Sequence, residues 1–380
     1  MPLVIVLLSV AVFAQGTSEF MLAGLLPSIA DDLGVSIPQA ALLTSAFAVG
    51  MIVGAPLMAA LSRRWSPRLA LSSFLVLFIV MHVVGAVTDN FAVLLVSRII
   101  AAVANAGFLA VTLSTVTALV PADRTARALA VILGGTTLAL IAGVPAGAVI
   151  GVALGWRAAL WVVAIVSVPA LAAVMVATPT SAGRHAHIRI TAELGVLRVP
   201  SLLVLLGLGA LVNGATFCAF TYLAPIVTDS AGLPGAAVPA VLAVFGVGAF
   251  AGVWLAGRYG DRYATRILTV GGSALLIGWG ACAALAVIPV ALFVLAFVQG
   301  ALSFAVGSTL IAASVRAAAD APTMSGSFAT ASLNVGAAAG PILGGVAYAH
   351  VAQSTGPFLV SMGLICLGVL VFVASRRVMP

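Results

Sequence analysis

Lysine is absent from this chain, and charge of either sign is scarce: sixteen arginines and nine acidic residues among 380. Soluble domains keep about a quarter of their residues charged, so a charged share of 7% excludes a water-borne fold. Cysteine is nearly missing as well. Cys218, Cys282 and Cys366 stand singly in apolar runs, without the spacing of a disulfide framework or a zinc site. Nucleotide loops, paired metal ligands and nucleophile triads are all absent from the sequence. The chain is therefore not expected to be an enzyme, and no cofactor or metal is expected. Despite a pI near 10.4, the arginines are scattered rather than gathered into the basic patch a nucleic acid requires.

What is abundant is apolar length. Hydrophobic residues make up 63% of the chain, with a mean hydropathy of +1.29. Charges, prolines and turn residues cut the sequence into twelve apolar segments, at 3–27, 40–62, 69–87, 92–120, 128–152, 158–177, 201–226, 238–257, 267–287, 290–315, 325–349 and 358–375. A segment of about 20 apolar residues, rising ~1.5 Å each, crosses a hydrocarbon core of ~30 Å. The expectation is an all-α integral membrane protein with twelve transmembrane helices. The first segment lacks the basic leader of a signal peptide and reads as a retained helix. Fourteen of the sixteen arginines fall in the tail or in loops after even-numbered segments, and one, Arg157, follows an odd-numbered one. By the positive-inside rule both termini are cytoplasmic.

The chain repeats itself. At an offset of 198 residues Gly16 matches Gly214, Pro27 matches Pro225, Asp31 matches Asp229, Gly34 matches Gly232, Gly50 matches Gly248 and Gly54 matches Gly252. The reading is two pseudo-symmetric six-helix bundles, 1–177 and 201–380, joined by a cytoplasmic linker at 178–200. Parallel six-span repeats are the layout of secondary transporters that bind at the membrane midplane. Within the linker His185 and His187 read as solvated residues rather than metal ligands.

Two charges lie inside apolar segments. Glu19 is the only charge of the first, and a carboxylate in hydrocarbon costs ~3 kcal/mol or more unless it faces protein or water. Gln15 lies one turn before it on the same face. Glu19 reads either as a proton carrier or as a structural acid satisfied by Thr17 and Ser18. Arg98, in the fourth segment, reads as a coupling group or as a snorkelling anchor, with Asn105 on its face seven residues on. In the second half Asn213 repeats Gln15, and Phe217, the counterpart of Glu19, and Phe220 either stack on an aryl substrate or face lipid. His82, in the third segment, reads as hydrogen-bonded to a neighbour or, less readily, as a proton relay.

After the second segment come Gly54-Ala-Pro-Leu-Met-Ala-Ala-Leu-Ser62-Arg63-Arg64-Trp65-Ser66-Pro67-Arg68, and in the second half Gly252 opens a run that ends Gly260-Asp261-Arg262. Both resemble the loop signature of the major facilitator superfamily, and the resemblance covers the whole chain. The first copy has Arg63 where the family's acid belongs, so the cytoplasmic latch that acid provides does not carry over. Leu94-Leu-Val-Ser-Arg98 is similar to the proton-coupling motif of the drug:proton antiporter branch. Gly143-Val-Pro145-Ala-Gly147 resembles the branch's glycine–proline signature, with a degenerate twin at Gly340-Pro341. The run Phe13-Ala-Gln-Gly-Thr-Ser-Glu19-Phe20 is similar to actinobacterial chloramphenicol exporters. The resemblance implies a monomer in a bacterial cytoplasmic membrane exporting a small drug, chloramphenicol or a related phenicol, against protons by alternating access. It assigns proton coupling to Glu19 and Arg98, substrate contact to Gln15, Glu19, Asn105, Asn213, Phe217 and Phe220, and gating to Gly54, Arg64, Arg68, Gly143, Pro145, Gly147, Gly252, Asp261, Arg262, Gly340 and Pro341. Arabinose-type sugar exporters are also similar, which leaves sugars, other metabolites or a broader drug range as alternatives.

Overall fold

The computed structural model describes residues 3–61, 65–120, 122–178, 194–318, 325–351 and 355–375, and among them every regular element is helical. Eleven stretches are long and apolar enough to cross a bilayer. The twelfth, expected at 325–349, is the 26-residue helix Ser325–His350, whose Gly, Ser, Ala and Asn content keeps its hydropathy low. The outward surfaces are apolar: Ile277, Val290 and Leu370 are 73%, 74% and 62% exposed. Only lipid makes such a surface stable.

We number the twelve helical stretches as spans. Spans 2, 3, 4 and 6 are single helices, Ile37–Leu61, Pro67–Val87, Phe91–Leu119 and Trp156–Ala177. Local chemistry sets their starts. Ser66 caps span 3 by accepting from the Leu69 amide at 3.2 Å, with Pro67 in the first turn, where a missing N–H costs nothing. Asn90 caps span 4, accepting from the amides of Ala92 and Val93 at 2.9 and 3.2 Å.

Spans 1, 5 and 7 are broken. Span 1 runs Leu3–Phe20, tightens to a 3₁₀ turn at Met21–Gly24 and resumes at Leu26–Leu33. Span 5 consists of Ala122–Leu138, a π turn at Ala139–Gly143 and Val144–Leu154. Span 7 is Pro200–Thr221, followed by a turn at Leu223–Pro225 and a π segment at Ile226–Ser230. Each break sits beside a proline, Pro27, Pro145 or Pro225, whose missing N–H forces the helix to reorganise. Between spans 8 and 9 the expected loop is instead helix. Val238–Leu285 is continuous except at Tyr263, where φ −126° and ψ 24° make a kink. Charge density suggested a loop at 258–266, but a helix satisfies its own backbone whatever its side chains carry. Spans 10, 11 and 12 are Pro289–Ala317, Ser325–His350 and Gly356–Ala374.

The chain divides into two compact units, 1–36 with 46–186, and 37–45 with 187–380. The boundary falls inside the expected linker, most of which, His185 and His187 included, lies outside the described residues. The first nine residues of span 2 belong to the second unit, which a strictly sequential division does not foresee.

The repeat reappears as packing inside each unit. In the first, a methyl added at Gly50 would strike the Ile99 carbonyl, and one at Gly54 would strike the backbone of Val103. In the second, the same additions at Gly248 and Gly252 would strike the carbonyls of Phe297 and Ala301. All four residue pairs obey the 198-residue offset. Glycine is what lets span 2 lie on span 4, and span 8 on span 10, at backbone distance. Gly34 and Gly232 repeat as well, both left-handed, with φ of 62° and 64°. That conformation, which glycine adopts without strain, turns the chain after the first span of each half.

Candidate functional site

Span 1 ends its regular α-helix one residue after Glu19. Span 5 lies against this break through three glycines. Methyl groups on Gly143, Gly147 and Gly151 would meet Thr17, Met21 and Leu25 in turn. The four-residue glycine spacing is therefore a ladder that seats span 5 along span 1 on either side of Glu19. Pro145 stands two residues past the end of the π turn, and Gly143 is the last residue of that turn, so the ladder and the irregular backbone share one place. Such turns recur at functional sites because they re-aim side chains without ending the helix.

The first unit holds a buried cation at this break. Arg98 is 2% exposed and sits within the protein, not at a watery end. Its Nη1 donates to Ser18 Oγ and its Nη2 to the Ser18 carbonyl, each at 2.7 Å. The carbonyl belongs to the last turn of the Leu3–Phe20 helix, where a cation complements the helix dipole and an outward-facing oxygen. One face of the guanidinium lies over the Phe47 ring, 4.5 Å from its centroid. Nε has no partner among the described residues.

The hydrogen bonds around Ser18 have a direction. His82 is 2% exposed; its Nδ1 lies 2.7 Å from the Phe78 carbonyl, which can only accept, so Nδ1 carries the hydrogen. Nε2 then accepts. It lies 2.6 Å from Ser18 Oγ and 3.5 Å from Arg98 Nη1. Ser18 Oγ already accepts from Arg98, and its own hydrogen goes to His82. The hydrogens point one way, from Arg98 to Ser18, from Ser18 to His82 and from His82 to the Phe78 carbonyl. His82 is held further by the Phe78 ring, 4.1 Å away between centroids.

Glu19 is half-buried next to this network but outside it. No ion pair within 4 Å joins it to Arg98 among the described residues, although the two charges are close enough to influence each other. The hydroxyls expected to satisfy Glu19 are turned elsewhere. Thr17 donates to the Phe13 carbonyl at 2.9 Å, and Ser18 serves Arg98 and His82. Gln15, one turn earlier, is 1% exposed, and neither of its amide atoms has a partner among the described residues. Asn105 is also buried, with only a weak contact from Nδ2 to Met51 Sδ at 3.5 Å.

In the second unit Asn213 donates to the Leu333 carbonyl at 2.7 Å and ties span 7 to span 11. Phe217 meets Phe220 edge-on at 6.2 Å, and Phe220 turns into the unit's own core, 5.0 Å from Phe245. There Phe220 lines a small gap with Trp279, Gln299 and Phe358. Of the gating positions, Gly54 and Gly252 are the close approaches described above. Gly340 lies against the Gly214 backbone, and the Pro341 carbonyl accepts from Tyr222 at 2.9 Å. Arg68 Nε donates to the Thr178 carbonyl at 2.8 Å, at the end of span 6. Arg262 is exposed, with its guanidinium 5.3 Å from the Tyr263 ring. Arg64 and the Asp261 side chain lie outside the described residues.

Sequence reasoning did not foresee that Ser18 would be the seat of Arg98. The signal was a hydroxyl beside the only charge of span 1, read there as a partner for that charge. At the far end of the same unit Arg157 bridges Asp32 and Asp89 while Trp156 Nε1 donates to Asp32 at 3.0 Å. Hydrogen bonds from Arg157 and Trp156 hold the Asp32 carboxyl below its ordinary range.

Comparison with known proteins agrees with this architecture. The sequence profile of the Major Facilitator Superfamily matches residues 8–321. The chain is 54% identical to a chloramphenicol resistance protein of Streptomyces lividans over 381 aligned positions, covering all of this chain and 97% of the relative. It is 33% identical to the inner membrane transport protein YdhP of Escherichia coli strain K12, covering 97% and 95% of the two chains. Among solved structures, a bacterial homologue of the human lysosomal transporter Spinster superposes with a TM-score of 0.77 at 17% identity, covering 99% of this chain and 96% of that one. The broken first spans, the internally repeated helices, the profile match and the full-length relatives have one common account: this multi-pass membrane protein belongs to the Major Facilitator Superfamily.

Proposed function

We propose that the chain exports a small, largely neutral drug, chloramphenicol or a related phenicol, in exchange for protons. The observation that carries this reading is the position of Glu19, a half-buried carboxylate at the break in span 1 with the buried Arg98 beside it. A carboxyl in that position can exchange a proton when the protein opens to either side of the membrane, and among the described residues no hydrogen bond or ion pair holds it. The resistance protein at 54% identity supports the choice of drug.

On this reading Glu19 takes up a proton from outside as drug leaves and releases it inside as drug enters. Gln15 offers an unspent amide group to the substrate, and Asn105 is a second polar contact from the same half. Arg98 biases Glu19 between its charged and neutral forms. One proton moving down 100 mV supplies ~2.3 kcal/mol, enough for a roughly fifty-fold drug gradient at ~1.4 kcal/mol per factor of ten. The protein works as a monomer in the cytoplasmic membrane with both termini inside, an orientation that the arginine distribution supports.

The test is chloramphenicol accumulation in drug-sensitive bacteria expressing the chain, with and without an uncoupler. Low accumulation that rises on uncoupling is the expected result. Accumulation equal to that of cells without the protein would refute the substrate, and sugar accumulation would be measured next.

A further inference from the structure

We propose that Ser18 and His82 are positioning residues: together they tether Arg98 to the end of the first helix and so keep its charge off the adjacent Glu19 carboxylate. The inference rests on the reading of Glu19 as the proton-exchanging group, and it adds a device that sets how readily that group gives its proton up. Three features carry it. Both terminal nitrogens of the guanidinium are engaged by one residue, through the Ser18 hydroxyl and the Ser18 carbonyl, each at 2.7 Å. The hydroxyl faces Arg98 with its lone pairs because His82 Nε2, at 2.6 Å, draws its hydrogen to the other side and fixes its rotation. His82 offers that lone pair because its other nitrogen is committed to the Phe78 carbonyl at 2.7 Å.

The arrangement has an alternative close by. Ser18 and Glu19 are consecutive, so a guanidinium released from Ser18 finds a carboxylate one residue along the same helix end. An unpaired buried cation is too costly to remain free, and release therefore means transfer to Glu19. While tethered, Arg98 acts on Glu19 at a distance, and protonation of the carboxyl breaks no bond. Once transferred, Arg98 forms an ion pair that must be broken before Glu19 can accept a proton, so a charge partner within about 4–6 Å shifts protonation to more acidic pH by one unit or more.

Other charged groups do not compete for this place. Span 2 has no titratable residue, and the remaining ones on spans 3, 5 and 6 are Arg68, Asp123, Arg124, Arg127 and Arg157, all within the first six residues of their helices. Arg68 is bonded to the Thr178 carbonyl, and Arg157 to Asp32 and Asp89.

The test titrates Glu19 directly, by infrared difference spectroscopy of the full-length protein in lipid, with the carboxyl band assigned by its loss in Glu19→Gln. Ser18→Ala and His82→Leu should each move the band's midpoint toward acid by roughly one pH unit, and the pH profile of drug export should move with it. Ser18→Thr, which keeps the hydroxyl, should hold the midpoint of the parent protein. A midpoint that is unchanged in both Ser18→Ala and His82→Leu would overturn the tether, as would a band that does not titrate in the parent protein. If one of the two variants does not fold, the other decides. If export of chloramphenicol fails while the midpoint shift is observed, the proposed function falls and the tether stands.

Discussion

Replacing Arg98 with methionine separates two roles that truncation would confuse. The guanidinium makes two charge-assisted hydrogen bonds to Ser18, worth about 1.5–3 kcal/mol each, and a cation–π contact with Phe47 worth ~1–2 kcal/mol. Against these stands the desolvation of a buried ion, several kcal/mol even after relaxation. The two sums nearly cancel. Methionine fills much of the same space and removes the buried charge, so Arg98→Met should change the stability of the folded protein by no more than about 2 kcal/mol. Arg98→Ala leaves a cavity as well as the vacated Ser18 oxygens and should cost about 3–5 kcal/mol. Thermal unfolding of the two purified variants in detergent measures the difference, while uncoupler-sensitive export from cells measures function. Export should be lost in both. A methionine variant as unstable as the alanine variant would refute the energy balance. Retained export would refute the assignment of Arg98 to coupling.

Three further outcomes follow from the geometry. Glu19→Gln should reach the membrane at normal levels yet give no proton-driven resistance, scored by membrane abundance and drug survival; full resistance would refute the carrier role. Gly143→Ala places a methyl group on the Thr17 side chain and should cost ~1–3 kcal/mol by overpacking, with Thr17→Ala in the same chain restoring much of the loss in thermal unfolding and in export. The third concerns acid. Asp32 has a folded pKa below its ordinary value of 3.8, so its contribution is complete above that value and fades as pH falls through it toward the folded one. Arg157→Gln should therefore flatten the loss of thermal stability between about pH 5 and 3, and an unchanged slope would show that the Arg157 bridge has no part in it.

Most of the fold was legible because the membrane imposes long, uniform signals. Twelve apolar segments and a 198-residue offset were enough to anticipate which helices repeat, and the pairs Gly50–Ile99 and Gly248–Phe297 show why glycine recurs at those positions. Breaks were harder to see. Spans 1 and 5 are apolar straight through their irregular turns, as span 7 is as far as Val227, and hydropathy does not register a missing N–H at Pro27, Pro145 or Pro225. The opposite error arose at 258–266, where charge implied a loop but the backbone stays helical up to Tyr263. In the site, Glu19 and Arg98 were visible because a charge in an apolar run is conspicuous. The Ser18–His82 and Ser18–Arg98 contacts join residues 64 and 80 positions apart, and a lone serine beside a glutamate says nothing about which distant side chain will claim it. Phe220 illustrates the limit of helical facing arguments: its ring is aimed by its neighbour Phe245 on span 8, not by its place in span 7.

The glycine contacts repeat in both halves, but the polar network does not. At the 198-residue offset Glu19 becomes Phe217, Arg98 becomes Ala296, His82 becomes Gly280 and Ser18 becomes Thr216. Duplication preserved the chassis and left a single engine. On the proposed reading, the second half is free to change what is carried while the first half keeps the drive, so variants with new substrates should arise mainly by mutation in 201–380, and loss of energy coupling mainly by mutation in 1–177.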